Sequence, residues 1–185
     1  RYHKIANWFN EQGYAVYALD HRGHGKSEGK RGHVRRWSDY ARDLELLRSI
    51  VQHEKQYLLG HSMGGNAAVV LALSSPDLIR RLIVGDIAPV AYSHSQDHNI
   101  QAMRMVDLYK VHVRLEADQQ LKAHISDPAL RAVLLQSLDM AQTPPAWQLN
   151  LGALGAEMDK IMGFPQVAGH FDGPALFLSG TNSDY

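Results

Sequence analysis

Tyr57-Leu58-Leu59-Gly60-His61-Ser62-Met63-Gly64-Gly65 is a short apolar run that passes without a pause into a glycine-rich turn. Its centre, Gly60-His61-Ser62-Met63-Gly64, matches the pattern G-x-S-x-G. Ala67 to Leu73 then reads as a tightly packed helix that ends before Pro76. A serine at a sharp strand-to-helix turn projects its hydroxyl above a sheet on a strained backbone. Gly60 and Gly64 lack side chains, which lets neighbouring backbone pass close by. The N–H of Met63, at the start of the helix, is aimed where an oxyanion would form. Ser62 is thus the candidate nucleophile and Met63 the candidate oxyanion donor. The bland alternative is a glycine-rich turn with an incidental serine, and the strand before it and the small-residue helix after it argue against that.

Working outward, the chain alternates strands and helices. Residues 3–12 carry Ile5, Trp8 and Phe9 at helical spacing, with Gly13 as a C-cap. Tyr14 to Leu19 reads as a buried strand, and His21 to Gly29 as a glycine-rich loop. Ser38-Asp39 caps a helix with Tyr40, Leu44, Leu47, Ile50 and Val51 on its apolar face. Leu82-Ile83-Val84 is a further strand, followed by Gly85-Asp86-Ile87-Ala88-Pro89, and Ala175 to Leu178 another. Such alternation predicts an α/β fold with a mostly parallel sheet flanked by helices. Residues 90–165 break the rhythm. Helical patterns run from Ile100 to Val113, Leu115 to Ile125 and Pro128 to Leu138, with no convincing strand. The expected organisation is a core at 1–89, an inserted helical cap at 90–165 and a return to the core at 166–185.

Composition bounds the function. The 185 residues are 45% hydrophobic and 21% charged, enough for a packed core. Lys+Arg and Asp+Glu are both 19, so no global field steers the chain to nucleic acid or an anionic surface. The absence of cysteine excludes disulfides, thiol catalysis and Cys-ligated zinc, and fits a cytoplasmic setting. No apolar run approaches the roughly 18 residues of a membrane span. His94 and His98, with Asp97 adjacent, have metal-compatible spacing but no third ligand, so no metal and no cofactor is expected. Lys30, Arg31, Arg35 and Arg36 flank Trp37 as a basic patch, either a contact for a phosphate-bearing thioester or a solvated face. Met103, Met105, Leu108, Leu115, Leu121, Leu134, Leu135 and Leu138 line either an acyl channel or plain packing between helices.

Asp20-His21-Arg22-Gly23-His24-Gly25-Lys26-Ser27 precedes the serine turn by 35 residues, counted from Ser27 to Ser62. With that loop the chain resembles the α/β-hydrolases. Asp86-Ile87-Ala88-Pro89-Val90, Trp147 to Leu151, Ile161 to Pro165 and Ser179 to Tyr185 are similar to a branch of small bacterial esterases and acyl-thioesterases related to mitochondrial abhydrolase-domain proteins. Ser27 to Leu44 looks more like the monoacylglycerol-lipase branch.

The resemblance implies a serine hydrolase for esters or thioesters of short to medium acyl chains. It places the triad acid at Asp86, after the sixth strand of the family, in preference to Asp184 after the seventh. His61 becomes a wall of the pocket. The family's catalytic His follows an eighth strand, and none of the eleven His residues here stands in that place. His170, before the seventh strand, does not. The second oxyanion donor belongs to a loop that precedes Arg1. The chain is thus expected to be a fragment, incomplete at both termini and inactive alone. Acylglycerol lipase, perhydrolase and C–C hydrolase chemistry remain open on the same fold, as does a non-catalytic binding module.

Overall fold

Local sequence makes most of the elements, and neighbours decide which of them become sheet. The computed structural model describes residues 2–31, 33, 35–51, 53, 56–92 and 96–181. Helix α1 (His3–Glu11) ends where Gly13 turns the chain at φ +83°, a left-handed conformation that glycine adopts without strain. Gly13 N–H donates to the Asn10 carbonyl, which closes the helix end.

The expected strand at 14–19 does not form. The segment has no ladder partner among the described residues, and Tyr14, Val16 and Tyr17 are exposed. β-propensity describes fit to a pleated, half-buried surface, so without a neighbour to pair with it does not make a strand. The side chains find ring contacts instead. Tyr14 meets Tyr57 at 5.8 Å between centroids, and the Tyr17 hydroxyl hydrogen-bonds His53 Nε2 at 3.2 Å.

The loop that follows closes around Asp20. Its carboxylate accepts the Lys26 N–H at 2.9 Å and its carbonyl accepts the Ser27 hydroxyl. A Cβ on Gly25, at φ +49°, would lie 2.3 Å from the Asp20 carboxylate, so both backbone and space demand glycine there. Arg22 forks onto both oxygens of Asp43 at 2.7 and 2.6 Å, fastening the loop to helix α2 (Trp37–Val51). This helix starts one residue before the expected Ser38 cap. Asp39 serves from inside the first turn, accepting the Arg36 N–H at 3.2 Å. Trp37, Tyr40 and Ala41 are buried, whereas Ile50, expected on the apolar face, is exposed.

Strand β1 (Tyr57–His61) and strand β2 (Arg81–Gly85) are parallel, with Gly60 opposite Val84 and His61 opposite Gly85. Between them lie helix α3 (Met63–Ser74) and a 3-10 turn at Pro76–Leu78. Every residue of α3 from Gly65 to Ala72 is buried, as befits a helix apolar on all sides. It covers the sheet face that carries Leu82 and Val84, and α2 packs outside it. Contacts from the ends of α1 reach the opposite face, Tyr2 to His61 and Tyr14 to Tyr57.

The chain then leaves the sheet. Helices α4 (Asp97–Arg104), α5 (Arg114–Lys122), α6 (Pro128–Leu135) and α7 (Leu151–Met162) surround their own core, in which Met103, Val111, Leu121 and Leu138 are fully buried. The expected helix from Ile100 to Val113 is broken. The Asp107 N–H goes to Gln120 Oε1 at 2.7 Å, and its carboxylate starts a 3-10 turn (Leu108–Lys110) by accepting the Tyr109 N–H. The region also holds a small antiparallel ladder of β3 (Leu138–Asp139) with β4 (Ala146–Trp147), where no strand was expected. A buried cation braces α6: Arg131 pairs with Asp118 at 2.8 Å and donates to the carbonyls of Ile125 and Ser126. Strand β5 (Ala175–Leu178) returns parallel to β2, giving the order β1-β2-β5. Among the described residues no helix is long and apolar enough to cross a membrane.

Candidate active site

At the carboxyl end of β1 the backbone of Ser62 adopts φ 52°, ψ −130°, between the strand and α3. Asp86 adopts φ 56° at the carboxyl end of β2. Among the described residues these two are the non-glycine positions with left-handed backbone. Such conformations cost of order 1–3 kcal/mol for ordinary side chains and gather at functional sites. Asp tolerates the region better than most residues, so the strain at Ser62 is the more telling.

Sheet hydrogen bonds hold both turns. Ser62 N–H donates to the Gly85 carbonyl at 2.9 Å, and Asp86 N–H donates to the Leu178 carbonyl at 2.7 Å. Since His61 is opposite Gly85, Ser62 and Asp86 occupy neighbouring positions on neighbouring strands. The Ser62 carbonyl accepts the N–H groups of Gly65 and Asn66, at 2.7 and 3.3 Å, and so opens α3. The N–H of Met63, at the first position of that helix, has no intrahelical acceptor and belongs to its positive end.

The glycines of the turn are not equivalent. A Cβ on Gly60 would sit 2.5 Å from the Gly64 carbonyl oxygen and 2.6 Å from Gly65 Cα. One on Gly65 would strike Ile87 at 2.6 Å and Val84 at 2.9 Å. One on Gly64 would meet nothing closer than His21 Nε2 at 3.7 Å, an ordinary contact. The close approach expected of Gly60 and Gly64 is therefore made by Gly60 and Gly65. In the whole protein, Gly65→Ala is expected to cost about 1–3 kcal/mol through overpacking. Gly64→Ala, at a helical position, is expected to be neutral or to stabilise by about 0.5–1 kcal/mol. Denaturant unfolding of the two variants checks the contrast, and equal losses would refute it.

His61 lines an open cleft of about 720 Å³ together with Gly85, Asp86, Leu178, Ser179, Gly180 and Thr181. Its Nδ1 is 2.9 Å from the Tyr2 hydroxyl. Ser62 stands next to this cleft rather than in its lining. On the other side of the serine turn, His21 packs against Tyr40 at 4.8 Å between ring centroids. Burial, helped by neighbouring His24, pulls the His21 pKa down, which favours the neutral imidazole. Burial also pushes the Tyr40 hydroxyl up to about 12, and the Arg22 fork holds Asp43 below the usual carboxylate range. Among the described residues no histidine hydrogen-bonds Ser62 or Asp86.

A family model described as serine aminopeptidase, S33, matches residues 1–183. The chain belongs to this family of α/β-hydrolases. It is 35% identical over 191 residues to the sn-1-specific diacylglycerol lipase ABHD11 of Danio rerio, covering all of this chain and 60% of that protein. It is 31% identical over 172 residues to esterase YbfF of Escherichia coli K12, covering 92% of this chain and 65% of that one. A solved marine microorganism esterase superposes with a TM-score of 0.80 at 30% identity, over 97% of this chain and 71% of that one. The chain spans 56–60% of the length of its ABHD11 relatives.

The other candidates of this α/β-hydrolase scatter. Asp184 and His94 lie outside the described residues. His98 Nε2 bonds the His124 carbonyl at 2.9 Å, and His170 pairs with Asp172 at the surface. Trp37 is not exposed beside the basic residues that flank it. Its ring is buried and its indole N–H donates to the Lys160 carbonyl of α7 at 2.9 Å. Met103, Leu121, Leu135 and Leu138 pack inside the helical core, while Met105 and Leu115 stand exposed. Sequence reasoning did not single out Leu178 or Thr181 as lining, although both flank the Ser179-Gly180 turn after β5.

Proposed function

We propose that the whole protein cleaves carboxylic esters or thioesters of short to medium acyl chains through an acyl-enzyme on Ser62. The observation that carries this reading is the pair of left-handed turns, Ser62 and Asp86, side by side at the ends of β1 and β2. Ligands of parallel α/β sheets bind at those carboxyl ends.

In the proposed reaction Ser62 Oγ attacks the substrate carbonyl carbon. Its proton passes to a histidine that the described residues do not supply, and Asp86 orients that imidazole and stabilises its charged form. The Met63 N–H receives the oxyanion. As the tetrahedral intermediate collapses, the carbon–oxygen or carbon–sulfur bond breaks and the imidazolium returns the proton to the leaving alcohol or thiol. Water, deprotonated by the same base, then releases the acid. Residues 90–165 serve as a cap over this end of the sheet. Supporting that role, the chain leaves the sheet at Asp86, enters the helical region at α4 and rejoins the sheet at β5.

A fluorophosphonate probe on the whole protein, followed by mass spectrometric mapping, tests the reading. The expected adduct is on the peptide that carries Ser62. A folded protein that takes no label would turn the reading to a binding module on a hydrolase scaffold.

A further inference from the structure

The last carbonyls of a helix find no N–H within it and take donors from outside. At the end of α7 two of them are met by distant parts of the chain. The Trp37 indole N–H of α2 donates to the Lys160 carbonyl at 2.9 Å, and the Tyr92 N–H donates to the Met162 carbonyl at 2.9 Å. A third tie is ionic. His33 Nδ1 is 3.3 Å from one oxygen of Glu157, whose other oxygen takes Lys160.

These ties lead back to the sheet. Trp37 is buried at the start of α2, its ring 5.8 Å from that of Tyr40 between centroids, and both belong to the cluster around α3. The Tyr92 hydroxyl accepts the Ala88 N–H at 2.7 Å, two residues beyond Asp86. After α7, Phe164, Val167 and Phe171 pack on the same cluster, and a Cβ on Gly169 would lie 2.3 Å from the Leu73 carbonyl oxygen of α3. The first turn of α7 belongs to the other side. Arg104 of α4 donates to the Leu151 carbonyl at 2.8 Å, and Leu151 packs on the core of the helical region. Helix α7 thus has one end in each part of the molecule. At 1.5 Å per residue, its 12 residues span about 18 Å.

We propose that α7 is the arm that holds the cap over Ser62, and that Trp37, assisted by His33, is the positioning residue that moors it. The inference rests on the reading of residues 90–165 as a cap. In this role Trp37 and His33 make no contact with the reacting atoms. They set the fraction of molecules whose cap stands in the binding position, and the apparent substrate affinity falls with that fraction.

The test uses the whole protein with Trp37→Phe and Glu157→Gln, singly and together. Phenylalanine keeps a buried ring and drops the N–H, and glutamine keeps the shape and drops the charge. Amide hydrogen exchange at residues 158–163 should quicken about fivefold in Trp37→Phe and further in the double variant, with the buried amides of α3 unchanged. Should Trp37→Phe not fold, Glu157→Gln alone should still quicken it about twofold. On a soluble p-nitrophenyl ester the double variant should raise KM about threefold or more and leave kcat within about twofold. Trp147→Phe is the control. Its indole N–H makes a like bond to the Met103 carbonyl at 3.0 Å, but inside the helical region, so KM should not move. Unchanged exchange at 158–163 overturns the proposal. So does a KM shift that Trp147→Phe shares equally, or a loss of kcat at constant KM. A wild type that hydrolyses no ester counts against the Ser62 reading, and the exchange measurement still decides the mooring.

Discussion

Replacing Ser62 by alanine in the whole protein is expected to lower ester turnover about 10⁶-fold, the loss seen when a serine hydrolase is deprived of its nucleophile. The magnitude follows from the whole barrier reduction that an acyl-enzyme route supplies, about 8 kcal/mol at 1.36 kcal/mol per tenfold. Residual acceleration would come from the Met63 N–H and substrate binding alone. The fold should hardly notice. Alanine keeps the Cβ, so the left-handed backbone at φ 52° is as strained before the change as after it, and the N–H that donates to Gly85 is retained. A soluble p-nitrophenyl ester read by absorbance, with thermal unfolding as the control, separates the two outcomes. Residual activity above about one part in a hundred, in a variant that unfolds normally, would place the nucleophile elsewhere.

Asp86→Asn is expected to lower kcat/KM about 10⁴-fold, because the amide no longer holds the base in its productive tautomer or stabilises its charged form. Asparagine is the informative replacement. It is nearly isosteric, it tolerates the left-handed φ of 56°, and its backbone N–H can still donate to Leu178. Stability should therefore stay close to wild type while activity falls. Asp184→Asn, measured alongside, is expected to change kcat/KM less than about threefold, since in this reading it does not hold the base. A large loss at Asp184 with little at Asp86 would reverse the assignment of the acid.

Short-range features were the readable ones. G-x-S-x-G between a strand and a small-residue helix signals a sharp turn within a few residues, and the structure puts a left-handed serine there. The Asp20 loop was also readable as a loop, since its glycines answer to groups within a few residues: Gly25 to the Asp20 carboxylate and Gly23 to the Lys30 carbonyl. Helix α7 was harder to see. Gly152 and Gly155 weaken its propensity, and the signal that starts it is Asn150, whose side chain accepts the Ala153 N–H at 2.9 Å. The broken helix at 105–107 depended on Gln120, which no window around residue 107 contains.

The α/β class, the strand–helix rhythm and the serine turn were legible in the order of the residues alone. These follow from periodicity, caps and steric rules that act over a few residues. Tertiary structure decided the rest. It left 14–19 without a ladder, because a strand exists only beside another strand. It made Gly65, and not Gly64, the point of close approach, because Val84 and Ile87 arrive there from β2 and beyond. It set Asp86 beside Ser62, because β1 and β2 pair in a register that no local pattern encodes. Pairing, packing and exposure are relations between distant parts of the chain, and they take a definite value only once the chain has folded.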